Sequence, residues 1–269
     1  MAVVTTSARV LADSISLTRL TTLEVTMPRL VLAEFNTHRA FSRNSASSRA
    51  IPVERQLAKV REDPFIPVRF PVNKPGMSAD DYVSPGEDGY DSLVGAWLEA
   101  RDHAVDSAEN LMRAGVHKQV ANRLLEPFMW HTVIVSATEW DNFFTLRISE
   151  FAQPEIRAAA EAMRDAMAQS TPASVSWHLP LVDDDDLTLE QKIKCSVARC
   201  AAVSYDRHLE RDIDKELKRY DLLASNGHLS PFEHVAYPTR GADKGNFRGW
   251  RQVRWFIERG SEPPFALWG

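Results

Sequence analysis

The longest regular pattern in the chain lies between residues 91 and 114. Its apolar members recur three or four positions apart: Leu93, Val94, Trp97, Leu98, Ala104, Val105, Ala108, Leu111 and Met112. This spacing puts them on one side of a helix, and Gly115 stands where a glycine commonly ends one. The sequence therefore predicts a long amphipathic helix over residues 91–114.

Shorter elements surround this helix. A run rich in β-branched residues predicts a strand over 15–27, and Pro28 suits the first turn of a short helix. Periodicity and breakers predict further helices over 29–36, 53–62, 118–125, 140–148, 155–168, 189–200, 210–225 and 247–259, and strands over 128–137 and 232–237. The proline-rich stretch 64–90 is predicted to be a surface loop. Helices alternating with few strands indicate an α+β or a mixed α/β fold.

Composition excludes several classes of protein. The net charge of −5 argues against a general nucleic-acid groove, and the longest apolar runs are too short to span a bilayer. No signal-peptide pattern opens the chain. Cys195 and Cys200 lack metal or redox spacing, so we expect small core residues in a reducing cytoplasm. We therefore expect a cytoplasmic protein with no membrane and no nucleic-acid partner.

Residues 36–50 read NTHRAFSRNSASSRA, a segment with almost no apolar side chains. Guanidinium groups, hydroxyls and backbone N–H groups at this density suit phosphate oxygens. Ser47 and Arg49 can face one anion, although a solvated loop remains the simpler alternative. No Gly-x-Ser-x-Gly elbow surrounds Ser47, so phosphate binding is a better role for it than nucleophilic attack. A Gly-x-Gly-x-x-Gly fingerprint is also absent.

Residues 226–234, NGHLSPFEH, form a second unusual segment. Gly227 can end the preceding helix, which displays His228 on a corner. His228 could be a structural histidine, a working residue, or a metal ligand together with His38 and His234, although the spacing fits no standard zinc pattern.

Three other features leave alternatives open. Arg123 and Arg147 lie beside bulky apolar residues, so each could snorkel to solvent or aim its charge into a cleft. The acidic run at residues 183–186 could be a solvated linker or a metal site.

Residues 37–49 resemble the signature of the flavin-dependent thymidylate synthases, which reads Arg-His-Arg, two further residues, Ser, and later Ser-x-Arg. Five further blocks are similar to segments of that family: residues 24–28, 122–127, 142–147 with 153–157, 201–205, and 227–234. The resemblance covers most of the chain. It implies an α+β fold with helices around a central mixed or antiparallel sheet.

The order of the blocks differs from the family pattern. The blocks at 201–205 and 227–234 precede the signature strand in the family but follow it here, so the chain resembles a circular permutant joined near residues 183–186. We expect a single domain over 1–269, with the signature and catalytic core in 1–180 and the permuted segment in 181–269.

The resemblance also implies roles for individual residues. It implies a homotetramer with FAD held between subunits, dUMP stacked on the flavin, 5,10-methylenetetrahydrofolate as carbon donor and NADPH as reductant. Catalytic roles fall to Arg147, which would face the pyrimidine carbonyl, and His228, which would lie against the flavin. Substrate contacts would come from Glu34, Ser45, Ser47, Arg49, Arg123 and Arg147, and cofactor contacts from His38, Arg39, Asn142, Ser204, His228 and Ser230.

Five departures affect this expectation. Thr37 replaces the first signature arginine, Glu34 replaces a glutamine, and Ser45 replaces an acid. The loop at 136–140 is short, and in the family this loop carries an Asn and an Arg that touch FAD. The tail at 246–269 has no counterpart and is expected to be a helix that packs on a neighbour or covers the site. These departures leave three activities open: dUMP methylation, a related reaction (hydroxymethylation or action on dCMP), and nucleotide binding without catalysis.

Overall fold

The computed structural model describes residues 5–45, 47, 50–76, 79–183, 186–204, 212–240 and 245–264. Its strands are β1 (Ser7–Ile15), β2 (Arg19–Pro28), β3 (Ser42–Ser45), β4 (Phe70–Pro71), β5 (Tyr82–Val83), β6 (Trp130–Ala137), β7 (Ala173–Ser174), β8 (Ala236–Pro238) and β9 (Trp250–Gln252). Its α-helices are α1 (Leu32–Asn36), α2 (Val53–Glu62), α3 (Tyr90–Arg113), α4 (Lys118–Ala121), α5 (Asp141–Arg147), α6 (Pro154–Ala168), α7 (Leu189–Ala201), α8 (Ile213–Ser225) and α9 (Arg254–Ile257).

A five-stranded sheet organises the chain, in the order β3-β6-β2-β1-β7. The pairs β1–β2, β2–β6 and β3–β6 are antiparallel, and β1–β7 is parallel. The sheet is therefore mixed and carries helices on its faces, which confirms the α+β expectation.

The two faces of the sheet are covered by different parts of the chain. Val25 and Val135 point to the face that packs on α6, with Ile156 and Met163 in the same core. On the opposite face, Ile134 packs against Cys200 and Val203 of the C-terminal segment. Alternation along β2 and β6 fixes this division, because successive side chains of a strand point to opposite faces.

A second core forms where α2 packs on α3. Leu57, Val60, Val105 and Ala108 are buried there together with Leu125. The first half of α3 is less covered: Leu93 is exposed, and Trp97 is only partly buried. The apolar stripe expected from the sequence is thus buried along only part of its length.

Several boundaries differ from the sequence expectations. Strand β1 was not anticipated, although its pairing with β2 forms the middle of the sheet. The predicted helix over 118–125 is a single α-turn followed by the 3-10 helix Asn122–Phe128, which includes Pro127. The strand expected over 232–237 was wrong in its first half, since Ser230–Glu233 is a 3-10 helix. The helix expected over 247–259 was also wrong, because β9 pairs with β8 before the short α9 begins.

Both cysteines are buried, as expected from the sequence, and neither forms a disulfide. Burial raises the pKa of the Cys200 thiol, which keeps it protonated and inert. Among the described residues, no helix is long and apolar enough to cross a membrane.

Candidate functional site

The beginning of the signature segment is held by the last residue of α5. Arg147 donates from Nε to His38 Nε2 at 3.0 Å and from a terminal nitrogen to Thr37 Oγ1 at 3.3 Å. Thr37 Oγ1 in turn donates to the carbonyl of Glu34 at 2.7 Å. Three positions picked out by the sequence, Glu34, His38 and Arg147, are thus joined through Thr37.

The imidazole of His38 is suited to accept this hydrogen bond. Its side chain is buried against the edge of Phe143, with ring centroids 4.8 Å apart. Burial lowers the pKa of His38, and the charges of Arg147 and Arg43 lower it further. The neutral ring therefore offers Nε2 as an acceptor, which fixes the orientation of the Arg147 guanidinium.

The middle of the signature segment meets the 227–234 block. Asn44, on β3, donates from Nδ2 to the carbonyl of Cys200 at 2.7 Å. Ser230 donates from Oγ to Asn44 Oδ1 at 3.2 Å. Two blocks that lie 186 residues apart in the sequence therefore share one hydrogen bond at the edge of the sheet.

The C-terminal tail also reaches this strand, which sequence reasoning missed. Gln252 Nε2 donates to Ser42 Oγ at 2.8 Å and to the Glu233 carbonyl at 2.9 Å, and Asn246 Nδ2 donates to Ser42 Oγ at 3.2 Å. The Arg248 backbone N–H donates to Thr138 Oγ1 at 3.0 Å, in the short loop after β6. The tail thus brings Asn246 beside the start of β3 and Arg248 beside the loop after β6. No motif signals this, because the contacts arise only in the folded chain.

The far end of the signature segment meets the turn that carries Arg123. Asn122 is fully buried and donates from Nδ2 to the Ile51 carbonyl at 3.0 Å. Arg123 itself is exposed and pairs with Glu126 at 2.7 Å, while Glu126 also pairs with Arg29 at 3.1 Å. An exposed pair of this kind adds little stability, so Arg123 can exchange Glu126 for another anion at small cost.

The remaining candidate residues differ in how they are placed. Arg39, Asn142 and His228 are exposed and have no side-chain partner among the residues the structure describes. Ser47 is exposed, and Ser45 is half-buried on β3. Arg49 and the side chain of Ser204 lie outside the described part of the chain. One carboxylate oxygen of Glu34 is buried and has no hydrogen-bond partner among the residues that are described.

A buried series of hydrogen bonds, the hydrogen-bond chain behind β3, runs across the neighbouring strands β1, β2 and β6. Ser14 Oγ lies 2.8 Å from His178 Nδ1, and His178 Nε2 lies 2.7 Å from Thr22 Oγ1. Thr22 bonds to Ser136, whose Oγ lies 2.8 Å from His234 Nδ1. Burial lowers the pKa of both His178 and His234 to about 3, so both rings are neutral. These hydrogen bonds hold the C-terminal segment on the sheet through His178 and His234, and His234 directly follows Glu233.

The metal interpretation gains no support from this arrangement. His38 bonds to Arg147, His234 bonds to Ser136, and His228 is exposed. Within the described ranges, no group of three or more His, Cys, Asp or Glu side chains could hold a metal ion.

Comparison with known proteins places this arrangement in a family. The family model described as thymidylate synthase complementing protein matches residues 16–173, which is more than half of the 269 residues. The chain belongs to this family. The recognition made from the signature is thereby confirmed, and the chain is a thymidylate synthase-like enzyme of the methyltransferase type, from a flavin-dependent family.

One solved structure shares the fold of this thymidylate synthase family member. A UMP/dUMP methylase, PolB from Streptomyces cacaoi, crystallised with 5-bromo-UMP, aligns with a TM-score of 0.50 at 18% identity, over 61% of this chain and 90% of that chain. Its structure with 5-bromo-dUMP aligns with a TM-score of 0.46 at 20% identity, over 56% and 67%. No curated protein matches the chain.

Proposed function

We propose that the protein methylates C5 of dUMP to give dTMP, using FAD, 5,10-methylenetetrahydrofolate and a nicotinamide reductant such as NADPH. The observation that carries the proposal is the meeting of separate blocks on β3 and α5. Arg147 contacts His38, and Ser230 contacts Asn44, although these residues are far apart in the sequence. Family membership gives the class of reaction, and the PolB structure adds that a UMP/dUMP methylase of this fold binds 5-bromo-UMP.

The nucleotide phosphate is assigned to Ser45, Ser47, Arg49 and Arg123. Asn122 supports this assignment, because it ties the turn carrying Arg123 to Ile51, two residues after Arg49. The exposed guanidinium of Arg123 has only a surface partner to give up. A phosphate bound between two arginines gains charge-assisted hydrogen bonds of the strong kind.

Arg147 is assigned to the pyrimidine carbonyl. His38 and Thr37 occupy Nε and one terminal nitrogen, so the guanidinium is held in place while other N–H groups remain available. C5 of uracil is a poor carbon nucleophile unless the ring first takes on enolate-like negative charge, which lies partly on its carbonyl oxygens. A fixed positive charge beside a carbonyl stabilises that charge as it develops.

The residues near β3 fit a flavin nucleotide. Arg39, Asn142 and His228 are uncommitted among the described residues, and Ser230 is oriented by Asn44, which matches a ligand with phosphates, hydroxyls and a polar ring edge. His38 lines the same region, and Ser204 is assigned there by the family pattern. Asn246 and Arg248 replace, in this proposal, the Asn and Arg missing from the short loop. When bound, the flavin supplies hydride transfer and carries the one-carbon unit.

The proposal includes a homotetramer with sites shared between subunits. Leu146 and Phe151 flank Arg147 in the sequence and are 51% and 70% exposed. Leu93 on α3 is exposed as well. Large apolar side chains at the site and along a long helix are suited to contact with another subunit. The circular permutation stays a prediction, which the contact between Ser230 and Asn44 supports.

The flavin spectrum and the reaction product together test this function. The purified protein is expected to show flavin absorbance after addition of FAD, and to change that spectrum when dUMP is added. With the folate and NADPH, mass analysis should find dTMP. Bound FAD with no dTMP from dUMP would reject methylation of this substrate. A protein that never takes up flavin yet binds dUMP would be a nucleotide-binding homologue without catalysis.

Glu34 favours a second candidate, a cytosine nucleotide as substrate. Its buried carboxylate oxygen has no partner in the described part of the chain, and a carboxylate accepts hydrogen bonds from an amino group. Cytosine carries such a group at C4, and uracil does not. Parallel assays with dCMP, identifying a methylated or hydroxymethylated product by mass, distinguish the two substrates. Replacement of Glu34 by Gln should shift preference from dCMP to dUMP if the carboxylate reads the amino group.

A further inference from the structure

A cleft separate from the signature segment lies between α3, the loop after α2 and the start of α6. It has a volume of about 470 Å³, and its walls include the aromatic rings of Phe70, Tyr82, Trp97 and Phe151. This volume is within the usual range for small-molecule sites, which are concave and mostly apolar with a few polar groups. Of these residues, only Phe151 is used in the function proposed above, where its exposed side chain is assigned to contact with another subunit.

The carboxylate of Glu155 is the unusual group in this cleft. The residue is only 8% exposed, it lines the cavity, and it has no hydrogen-bond or ion-pair partner among the residues the structure describes. It lies in the first turn of α6, where the helix dipole favours a negative charge. Glu155 has no partner to give up among the described residues, so a ligand that donates N–H groups from the cleft can form charge-assisted hydrogen bonds with its carboxylate.

Arg69 supplies a second charge at another part of the wall. Its guanidinium carbon lies 3.8 Å from the centre of the Tyr82 ring, and no described carboxylate pairs with it. The stacking fixes the guanidinium plane while its N–H edge stays available to an anion. Glu155 and Arg69 do not form an ion pair with each other, so one ligand can engage both.

Trp97 provides a flat, rigid surface in the wall of the same cleft. Its indole N–H already donates to the Phe65 carbonyl at 2.8 Å, and Phe65 and Phe128 pack on the ring edgewise. The ring is therefore held in one orientation and is only partly buried. A planar ligand can stack against it without immobilising a mobile side chain.

We propose that this aromatic cleft binds a planar fused-ring heterocycle with a 2-amino-4-oxopyrimidine edge and an anionic tail. The adjacent ring N–H and amino group of that edge match the two oxygens of Glu155, and the tail reaches Arg69. Pterins with a glutamate tail and guanine nucleotides share this chemistry. The pterin source rests on the proposed function, because that reaction consumes a folate; the guanine source does not.

Binding to the flavin-free full-length protein tests the site, with folic acid, GMP and AMP titrated separately by calorimetry. We expect folic acid, GMP or both to bind, and AMP, which lacks the 2-amino-4-oxo edge, not to bind. Glu155→Gln should weaken binding by about 10- to 150-fold, the range for hydrogen bonds to a charged group. Arg69→Gln should weaken binding of the same ligands. Glu150→Gln, an exposed carboxylate just before α6, is the matched control and should change nothing.

The outcomes separate this inference from the proposed function. Binding that survives Arg147→Gln but is lost in Glu155→Gln places the ligand in the cleft, whether or not the protein takes up flavin or makes dTMP. Binding of folic acid alone identifies the pterin source, and binding of GMP alone identifies the guanine source. Phe151→Ser changes a side chain that is 70% exposed, so it keeps the fold while removing one wall, and it should also weaken binding. No binding of either ligand, equal binding of AMP, or binding unaffected by Glu155→Gln and Phe151→Ser overturns the proposal.

Discussion

Arg147 owes its orientation to two neighbours that contribute different interactions. His38 offers a neutral ring nitrogen at 3.0 Å, and Thr37 offers a hydroxyl oxygen at 3.3 Å. In the family signature an arginine stands at the position of Thr37. A second guanidinium there could not accept from Arg147, so the threonine creates a hydrogen bond that an arginine would exclude.

We predict that Arg147→Gln weakens dUMP binding by about 2–4 kcal/mol, because a fixed charge facing the ring is lost. Calorimetric titration of the purified variant with dUMP measures this change. Arg164→Gln is the control, since Arg164 is exposed on α6 and, among the described residues, pairs only with the adjacent Asp165. Equal dUMP affinities for wild type and Arg147→Gln would show that Arg147 does not face the nucleotide.

At the residue level, the sequence was informative where a motif carried chemistry. Glu34, His38, Arg147 and Ser230 were all chosen from short patterns, and the structure joins them in two groups of contacts. Gln252 could not be chosen this way. Its importance comes from reaching Ser42 and the Glu233 carbonyl at once, which depends on how the tail returns to β3.

At the scale of single elements, the local sequence pattern predicts some helices and strands, whereas others form only because a distant strand pairs with them. Helix α2 begins and ends where the sequence predicts, because Pro52 precedes it and its apolar spacing is regular. Strand β9 was mistaken for part of a helix. Trp250 to Gln252 become a strand only because β8 pairs with them, and no local pattern reveals that partner. The same limit applies to β1, whose pairing with β2 includes a shift in register.

The hydrogen-bond chain behind β3 gives a prediction about how the elements are fastened. Ser136 is fully buried and bonds to both Thr22 and His234 Nδ1. Ser136→Ala leaves these two groups short of a partner and should lower the free energy of unfolding by about 1–3 kcal/mol. Urea denaturation followed by circular dichroism measures the loss.

Thr132→Val is the matched control on the same strand. Thr132 meets Thr26 at 3.2 Å across two strands but is only partly buried. A cross-strand pair of this kind contributes below about 1 kcal/mol. If the two variants lose the same stability, the buried chain does not fasten the segment to the sheet.

Across the described part of the molecule, four buried histidines tie stability to pH, and one of them is His38, whose pKa burial lowers. The pKa values of His131, His178 and His234 are each lowered to about 3, in every case mainly by burial. The unfolded chain takes up these protons near pH ~6.5 while the folded chain excludes them. Stability is therefore complete above that pH and falls as the pH is lowered, by about 1.4 kcal/mol per pH unit for each histidine.

Urea midpoints measured from pH ~7.5 down to pH ~4.5 should show this decline, which spans the range where unfolded histidines titrate. His178→Gln should give a shallower slope than wild type, because one of the buried histidines is removed. His228→Gln should keep the wild-type slope, because His228 is exposed. A slope that is the same in all three proteins would mean that His178 is not the source of the pH dependence.

The last prediction concerns whether the chain is one cooperative unit. The family model ends at residue 173, yet residues of the C-terminal segment pack against one face of the sheet. Leu20 is fully buried against Phe247 and Trp250, and Ile134 against Cys200 and Val203. A chain ending at residue 174 would expose both apolar side chains, together with the hydroxyls of Thr22 and Ser136 that now bond to histidines.

We expect such a chain to lose cooperative unfolding and to bind a hydrophobic dye, whereas the full chain gives a single transition and binds none. Co-expression with residues 175–269 as a separate polypeptide should restore the transition, since the contacts across the sheet do not require a continuous backbone at the joint. Cooperative unfolding of the short chain alone would instead make residues 1–174 an independent domain, and the C-terminal segment an addition to a complete fold rather than its permuted part.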